Sequence, residues 1–243
     1  MMKVYYFSRR NLLLSVAVFA LICTFLGVSI IYLDSVGVVS QVQEPIYQGN
    51  TGEKAVALTV NVDWGEEFIP AMLKEFKKQD ARVTFFVTGT WARKNPAILK
   101  NMSQAGHSIQ NHGDKHLHFN QLSSTQIKEQ VRGAEKTIAE ITGKKSRFFA
   151  PPYGEQNQQV VSAVSDLNYQ LIMWSVDTVD WQRPAPEVIT KRVMNRVHND
   201  AIVLMHPTEP TLKALPTLLK ELKDEGYRMV PIEEIVKPES ATK

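Results

Sequence analysis

From Lys54 onward, short apolar runs alternate with helix-patterned stretches about seven times, and this alternation narrows the fold more than any other feature. Ala55-Val56-Ala57-Leu58-Thr59-Val60-Asn61-Val62 is almost wholly apolar or β-branched, with no polar alternation. Such a run fits a strand buried on both faces, as in a parallel sheet. Ile69, Met72, Leu73 and Phe76 then recur at helical spacing. Arg82–Val87 reads as a second buried strand, and Asn95-Pro96 opens a helix that Gly106 ends. His107–Gln110 follows as a short strand. Ser123-Ser124-Thr125-Gln126 looks like a helix start, with Ile127, Val131, Ala134, Ile138 and Ile141 on one face up to Gly143. Further strands are expected at Arg147–Phe149, Tyr169–Trp174, Ala201–Met205 and Tyr227–Val230, with helices over 156–166, 186–197 and 211–225. Strictly alternating units imply parallel strands with right-handed crossovers. The expected fold class is α/β, a (β/α)7-8 barrel in preference to an open sheet.

Ahead of this region, Leu12–Leu33 is uncharged and mostly apolar, preceded by Lys3, Arg9 and Arg10 and followed by Asp34. About 22 helical residues span the roughly 30 Å hydrocarbon core of a bilayer. The positive flank predicts a cytoplasmic N-terminus. A cleaved signal peptide has a shorter apolar core and a small-x-small site, which Leu33-Asp34-Ser35-Val36-Gly37 does not provide. The expected order is therefore a cytoplasmic N-terminus (1–11), one transmembrane anchor (12–33), a linker (34–53), a main domain (54–236) and a short tail (237–243). That places the protein in the cell membrane as a single-pass protein with its main domain outside the cytoplasm. The sole cysteine, Cys23, lies in the apolar run, so the exported part carries neither disulfide nor thiolate-bound metal. A net charge of +3 is too small to argue for a nucleic-acid partner.

The unusual polar residues cluster where strands end: Asn61 to Glu67, His112 to His116, Pro151 to Gly154, Asp177 to Trp181, and His206-Pro207. Parallel α/β folds place their sites there. His112 and His116 are four apart and can meet one metal ion from a helical turn or a tight loop; neutral imidazole suits zinc, cobalt or nickel. His107 reads as structural and His118 as a solvated loop residue. Asp114 is either a support for the histidines or a solvated loop acid. Asp180 is either a turn cap or a catalytic group, and Trp64, Trp174 and Trp181 are core or sugar-facing.

In this order the clusters resemble the motifs of the polysaccharide deacetylases (the NodB-homology domain, a carbohydrate esterase type), over about Lys54 to Val236. Trp64-Gly65 is similar to the membrane-anchored deacetylase-like proteins of spore-forming bacteria. The resemblance implies a distorted NodB-type barrel, a divalent metal (most readily zinc) on His112 and His116, and His206 as general acid. It gives Asp177, within Trp174–Trp181, the task of orienting His206. It puts Pro152, Tyr153, Gly154, Trp181 and Leu204 around the substrate. The implied reaction is N-deacetylation of a cell-wall amino-sugar polymer, peptidoglycan or chitooligosaccharide-like, with release of acetate and a link to sporulation. A metal-bound water would attack, a carboxylate would take its proton, and His206 would protonate the leaving amine.

Two motifs depart from the family pattern. Where Thr-Phe-Asp-Asp is usual, this chain has Thr59-Val60-Asn61-Val62-Asp63, so Asn61 takes the place of the base and Val62 that of the carboxylate ligand. Asp63 shares the strand face of Asn61 if the chain stays extended, and could serve as base or third ligand; Glu66 and Glu67 are further candidates. Where Arg-x-Pro-x-Gly is usual, Ala150-Pro151-Pro152-Tyr153-Gly154 lacks the arginine, and Arg147 lies three residues earlier. Two readings follow: a deacetylase with a substituted carboxylate, or a catalytically impaired relative that binds cell-wall glycan or a partner protein.

Overall fold

The computed structural model describes residues 9–35 and 43–237. Residues 1–8 of the expected cytoplasmic segment, 36–42 of the linker and 238–243 of the tail lie outside the described residues. The chain divides into two compact units at Gln41/Val42.

The first unit holds helix α1, Arg9–Ser35. Its described side chains are those of 9–10 and 13–25, where Leu13, Phe19, Leu21 and Phe25 are exposed. Among the described residues, no helix is long and apolar enough to cross a membrane.

The second unit is built on strand β1, Ala55–Val62, buried along its whole length. It is followed by α2 (Ile69–Lys78), β2 (Thr84–Val87), α3 (Gly89–Lys94), α4 (Pro96–Gln104), β3 (Ser108–Asn111) and α5 (Ser124–Thr142). Then come β4 (Phe148–Phe149), α6 (Gln158–Ser165), β5 (Gln170–Leu171), β6 (Val176–Asp177), α7 (Pro186–Met194), β7 (Ala201–Met205), α8 (Glu209–Asp224), β8 (Arg228–Met229) and α9 (Ile232–Ile235). The sheet order is β5-β4-β3-β2-β1-β7-β6, with β8 on the start of β1, and the pairings are parallel. Local signals place several ends. Ser123 and Gln126 form a reciprocal capping box on α5, and Gly143 closes it in the left-handed conformation.

The two faces of β1 go to different layers. Val56, Leu58, Val60 and Val62 pack outward with Met72 and Phe76 of α2 and Leu215, Leu218 and Leu222 of α8. Ala55 and Ala57 face inward, with Phe86, Phe148 and Ile202. A third cluster joins α5 and α6 to the backs of β4 and β5, through Val131, Val160, Phe149 and Leu171. Burial on both faces explains the unbroken apolar run of this strand.

The fold is the expected α/β class, but the sheet curls into a half-barrel and does not close. The run Tyr169–Trp174 yields only the two-residue strand β5, and β5 does not pair with β6. Residues 46–49, within the segment expected as linker, lie in that gap. Ile46 bridges to Ile172 and Gln48 to Ala201, and Gly49 N–H donates to the Asp200 carbonyl. A Cβ on Gly49 would stand 2.5 Å from the Ile235 carbonyl oxygen, so only glycine fits this approach.

Candidate functional site

Side chains alternate along a strand, so the parallel register decides which residues share the concave face. Asn61 lies one residue beyond the Val60–Met205 pair, level with His206 on β7's extension. His112 follows β3, and Ala150 follows β4. Val62, the position matched to the carboxylate ligand, belongs to the outward layer and is fully buried against the helices. Period two puts it on the opposite face from Asn61.

His112 and His116 sit on a loop, turned by Gly113 at φ 82°, and their rings lie 5.2 Å apart edge to face. His112 is buried, and its Nδ1 lies 2.7 Å from the Ala150 carbonyl oxygen. A carbonyl only accepts, so Nδ1 carries the hydrogen and Nε2 keeps its lone pair. Burial, then the neighbouring His116, push the His112 imidazole down to about 3. Burial also lowers His116, against an opposing pull from Asp63. Asp114 holds the loop from behind: Arg93 donates to both its oxygens, at 2.7 and 3.1 Å, and Gly89 and Gly133 leave room for its side chain. It is a tether for the histidine loop.

Tyr153 takes a left-handed conformation at φ 58°, uncommon for a residue with a side chain. Its exposed ring stacks flat on His118 at 4.1 Å and meets the edge of His116 at 4.5 Å. His118 is fixed in turn by Glu155 at 2.8 Å, so this expected solvent residue supports Tyr153. Gly154 turns under Trp174, 2.9 Å from where a Cβ would stand, and Pro152 is buried beside it.

The partner of His206 corrects the expectation for Asp177. His206 Nδ1 lies 2.8 Å from Asp180 Oδ1, and His206 N–H donates to Asp180 Oδ2 at 2.6 Å. Thr211 Oγ1 donates to the same oxygen at 2.6 Å. Asp180 is fully buried near the N-terminus of α8, where the helix dipole favours an anion. Asp177 instead accepts the Val179 N–H at 2.7 Å, capping its own turn. The exchange comes from backbone shape: Val179 and Arg183 are both left-handed, at φ 52° and 53°, and swing Asp180 in and Trp181 out. Leu204 lies buried on β7. Trp64 stacks nearly parallel to His206 with ring centres 6.2 Å apart, and the Arg183 guanidinium lies over the Trp64 ring at 6.0 Å. Gly65 permits this, because a Cβ there would meet the Pro207 carbonyl oxygen at 2.3 Å.

Asp63 accepts from Thr88 Oγ1 at 2.7 Å, and Glu66 accepts from Trp91 Nε1 at 3.3 Å. Neither is brought into a ligand set with the histidines: among the described residues, no three His, Cys, Asp or Glu side chains are grouped to hold a metal ion. Asn61 is 7% exposed, and its Oδ1 is buried without a hydrogen-bond partner. The donor set therefore does not fit a tightly held zinc ion, which takes at least three protein ligands. The pair of imidazoles is present, and the carboxylate that would complete it is not.

Residue order and spacing found the histidine pair, His206 and the altered Asn61. They left Asp180 open between turn cap and catalytic group while giving its place behind His206 to Asp177, and they missed Thr211 and the stacking of Trp64 on His206. The signal for Asp180 was its place in the strand-end cluster Asp177 to Trp181, which it shares with Asp177.

Comparison with known proteins agrees with this geometry. Residues 48–172 match the polysaccharide deacetylase family. The uncharacterized protein YlxY of Bacillus subtilis is 38% identical over 79% of this chain and 60% of its own length. The peptidoglycan-N-acetylglucosamine deacetylase PgdA of Listeria monocytogenes is 32% identical over 81% of this chain and 42% of its own length. The chain thus spans less than two thirds of either relative. Among solved structures, a CE4 family pseudoenzyme from Bacillus anthracis superposes with a TM-score of 0.77 at 41% identity, covering 80% of this chain and 69% of that one. A mutant of that pseudoenzyme with restored enzymatic activity superposes equally, at 0.77 and 40%, over 80% and 71%. By the family match and by these relatives, the chain belongs to the polysaccharide deacetylase family.

Proposed function

We propose that this protein binds cell-wall glycan through a deacetylase cleft whose hydrolytic half is dismantled, and that residues 12–33 anchor it in the cell membrane with the cleft outside. The observation that carries the first part is Asn61. It occupies the position of the base, and an amide cannot take a proton from water at neutral pH. Its neighbour Val62 is turned into the apolar layer, and Ala150 offers no guanidinium to steady a base. Two of the relatives are named for peptidoglycan, PgdA of Listeria monocytogenes and PdaA of Bacillus subtilis, which supports a glycan as the ligand.

This chain's own residues suit binding. Trp64, Tyr153 and Trp181 are exposed around the cleft, at 39, 59 and 56%, and offer faces on which sugar rings stack. His206, held by Asp180, presents Nε2 to the cleft, either to accept a hydrogen bond or, when protonated, to donate one. A bound divalent metal would supply an activated water in family members. Here His112 and His116 are the residues that would meet it, and they make an incomplete set, so zinc, cobalt or nickel is not assigned as a resident ion. The intact His206–Asp180 pair favours a second reading, slow turnover with Asp63 as base. Sporulation was implied by resemblance alone, and no residue of the site bears on it.

The test is acetate release from N-acetylglucosamine oligomers and peptidoglycan by the full chain, with and without added zinc or cobalt. The expected result is no acetate, with the protein retained on peptidoglycan. Acetate release by the unmodified protein, raised further by Asn61→Asp, would establish the second reading instead. For the anchor, the support is the sequence alone, the uncharged and mostly apolar 12–33 run behind Lys3, Arg9 and Arg10, because no helix of the described residues is by itself long and apolar enough to span. Deleting residues 1–35 should move the protein from the membrane pellet to the soluble fraction.

A further inference from the structure

The turn that buries Asp180 also carries a guanidinium to the rim of the cleft. Arg183 ends this turn at φ 53°, and its N–H donates to the Asp180 carbonyl at 2.8 Å, so its backbone is pinned. Its side chain is exposed, with the guanidinium 6.0 Å from the centre of the Trp64 ring, and that ring lies 6.2 Å from the ring of His206. Elsewhere Arg82, Arg93 and Arg228 are paired with Glu234, Asp114 and Glu53. Among the described residues the Arg183 guanidinium makes neither an ion pair nor a hydrogen bond. Glu209 feels its charge but is itself ion-paired with Lys213 at 2.7 Å. A guanidinium presents a planar fork of donors, and its complement is a carboxylate held by two parallel hydrogen bonds. A neutral hydroxyl or acetamido oxygen takes one donor and leaves the charge unanswered.

We infer that Arg183 is a specificity-determining residue of the cleft rim, selecting a glycan strand that bears carboxylates over a neutral N-acetylglucosamine polymer. The inference rests on the glycan-binding reading above and names which glycan. Peptidoglycan carries such acids, on the lactyl arm of muramic acid or on the peptide attached to that arm, and a chitin-like strand carries none. The route from the guanidinium to His206 crosses the Trp64 ring, so the acid is read at the rim, one indole away from the histidines. Trp64 and Trp181, both exposed, offer the sugar rings a face beside it. The pinned backbone lowers the cost of ordering the side chain, and its exposure keeps the gain modest.

Calorimetry on the full chain at pH 7 compares three strands. They are the N-acetylglucosamine tetramer, a peptide-free tetramer alternating N-acetylglucosamine with N-acetylmuramic acid, and that second strand with its peptides attached. An acidic strand should bind about threefold to fivefold tighter than the neutral one at low salt, the scale of an exposed ion pair. Preference for the peptide-free strand places the acid on the lactyl arm, and preference confined to the peptide-bearing strand places it on the peptide. Either preference should fade at about 1 M salt, where the Debye length is about 3 Å. Arg183→Gln should bring the affinities together, and Arg183→Lys should keep part of the difference. Lys220→Gln removes an equal charge near the other end of α8 and should leave the difference intact. Circular dichroism should be unchanged in all three variants. Equal or tighter binding of the neutral strand, or a preference that survives in Arg183→Gln, would overturn the inference and leave the glycan-binding reading standing. Binding of no strand, with no retention on peptidoglycan, would overturn both.

Discussion

The two walls of the cleft differ in how completely their polar atoms are paired. On one wall Asp180 receives the His206 N–H, the His206 imidazole and the Thr211 hydroxyl, and Thr208 in turn bonds Thr211. On the other, Asn61 keeps a buried oxygen with no partner, Val62 has left the cleft, and Ala150 contributes only its carbonyl. A saturated network holds its members in place whether or not anything binds, whereas an orphaned acceptor is costly until a ligand meets it. The first wall therefore reads as scaffold and the second as the part that recognises something.

The largest effect that tests this contrast is Asp180→Ala. It strands three donors around a buried site, and stability should fall by about 3–5 kcal/mol in urea unfolding. Asp180→Asn should cost less, because one acceptor oxygen remains. A loss below about 1 kcal/mol for Asp180→Ala would mean that the wall is not held as described.

Next in size is a pH effect carried by His112 of the other wall and by His107, which packs edge-on against Phe76 and Phe85. Burial holds His112 at about 3 and His107 at about 4, both below the ordinary 6.5. As pH falls below about 6.5, the unfolded chain gains a proton on each imidazole and the folded chain does not. The unfolded state binds more protons in that window, so stability must fall with falling pH. The slope is at most about 1.4 kcal/mol per pH unit per histidine, ending near pH 4 for His107 and near pH 3 for His112. Above pH 7 these two groups contribute no slope. His112→Asn, which keeps a donor for the Ala150 carbonyl, should about halve this contribution between pH 6 and 4. An unchanged slope would show that His112 is not buried neutral.

What the sequence revealed and concealed follows the same division. β1 was legible to the residue because burial on both faces demands an unbroken apolar run, and the helix over 124–142 was bounded by its own capping residues. The outward turn of Val62 was also within reach, since Asn61 and Val62 are adjacent and must face opposite ways. Asp180 was legible only as one of two alternatives, turn cap or catalytic group. Choosing it over Asp177 depends on Val179 taking a left-handed conformation, which a β-branched residue disfavours, so local propensity pointed the other way. The open seam was hidden for a different reason. Residues 46–49 fill it with isolated bridges and single hydrogen bonds, too short a stretch to leave a period-two pattern. The family resemblance pointed to three histidines at the strand ends, and it gave the carboxylate behind His206 as Asp177 because it was read from motif order, not from backbone shape.

The smallest effect is the most discriminating. Asn61→Leu replaces a buried amide by an apolar group of similar size and removes the orphaned acceptor. If the amide is kept for a ligand, the variant should be more stable than the parent by up to about 1 kcal/mol, and at the same time less well retained on peptidoglycan. Stability and binding then move in opposite directions at one residue. Asp177→Ala is the matched control on the paired wall. It removes only a turn cap, so it should lower stability by about 0.5–1 kcal/mol and leave glycan binding unchanged. If Asn61→Leu instead destabilises the fold like an ordinary core substitution, the oxygen has a partner within the protein, and the recognising wall is scaffold as well.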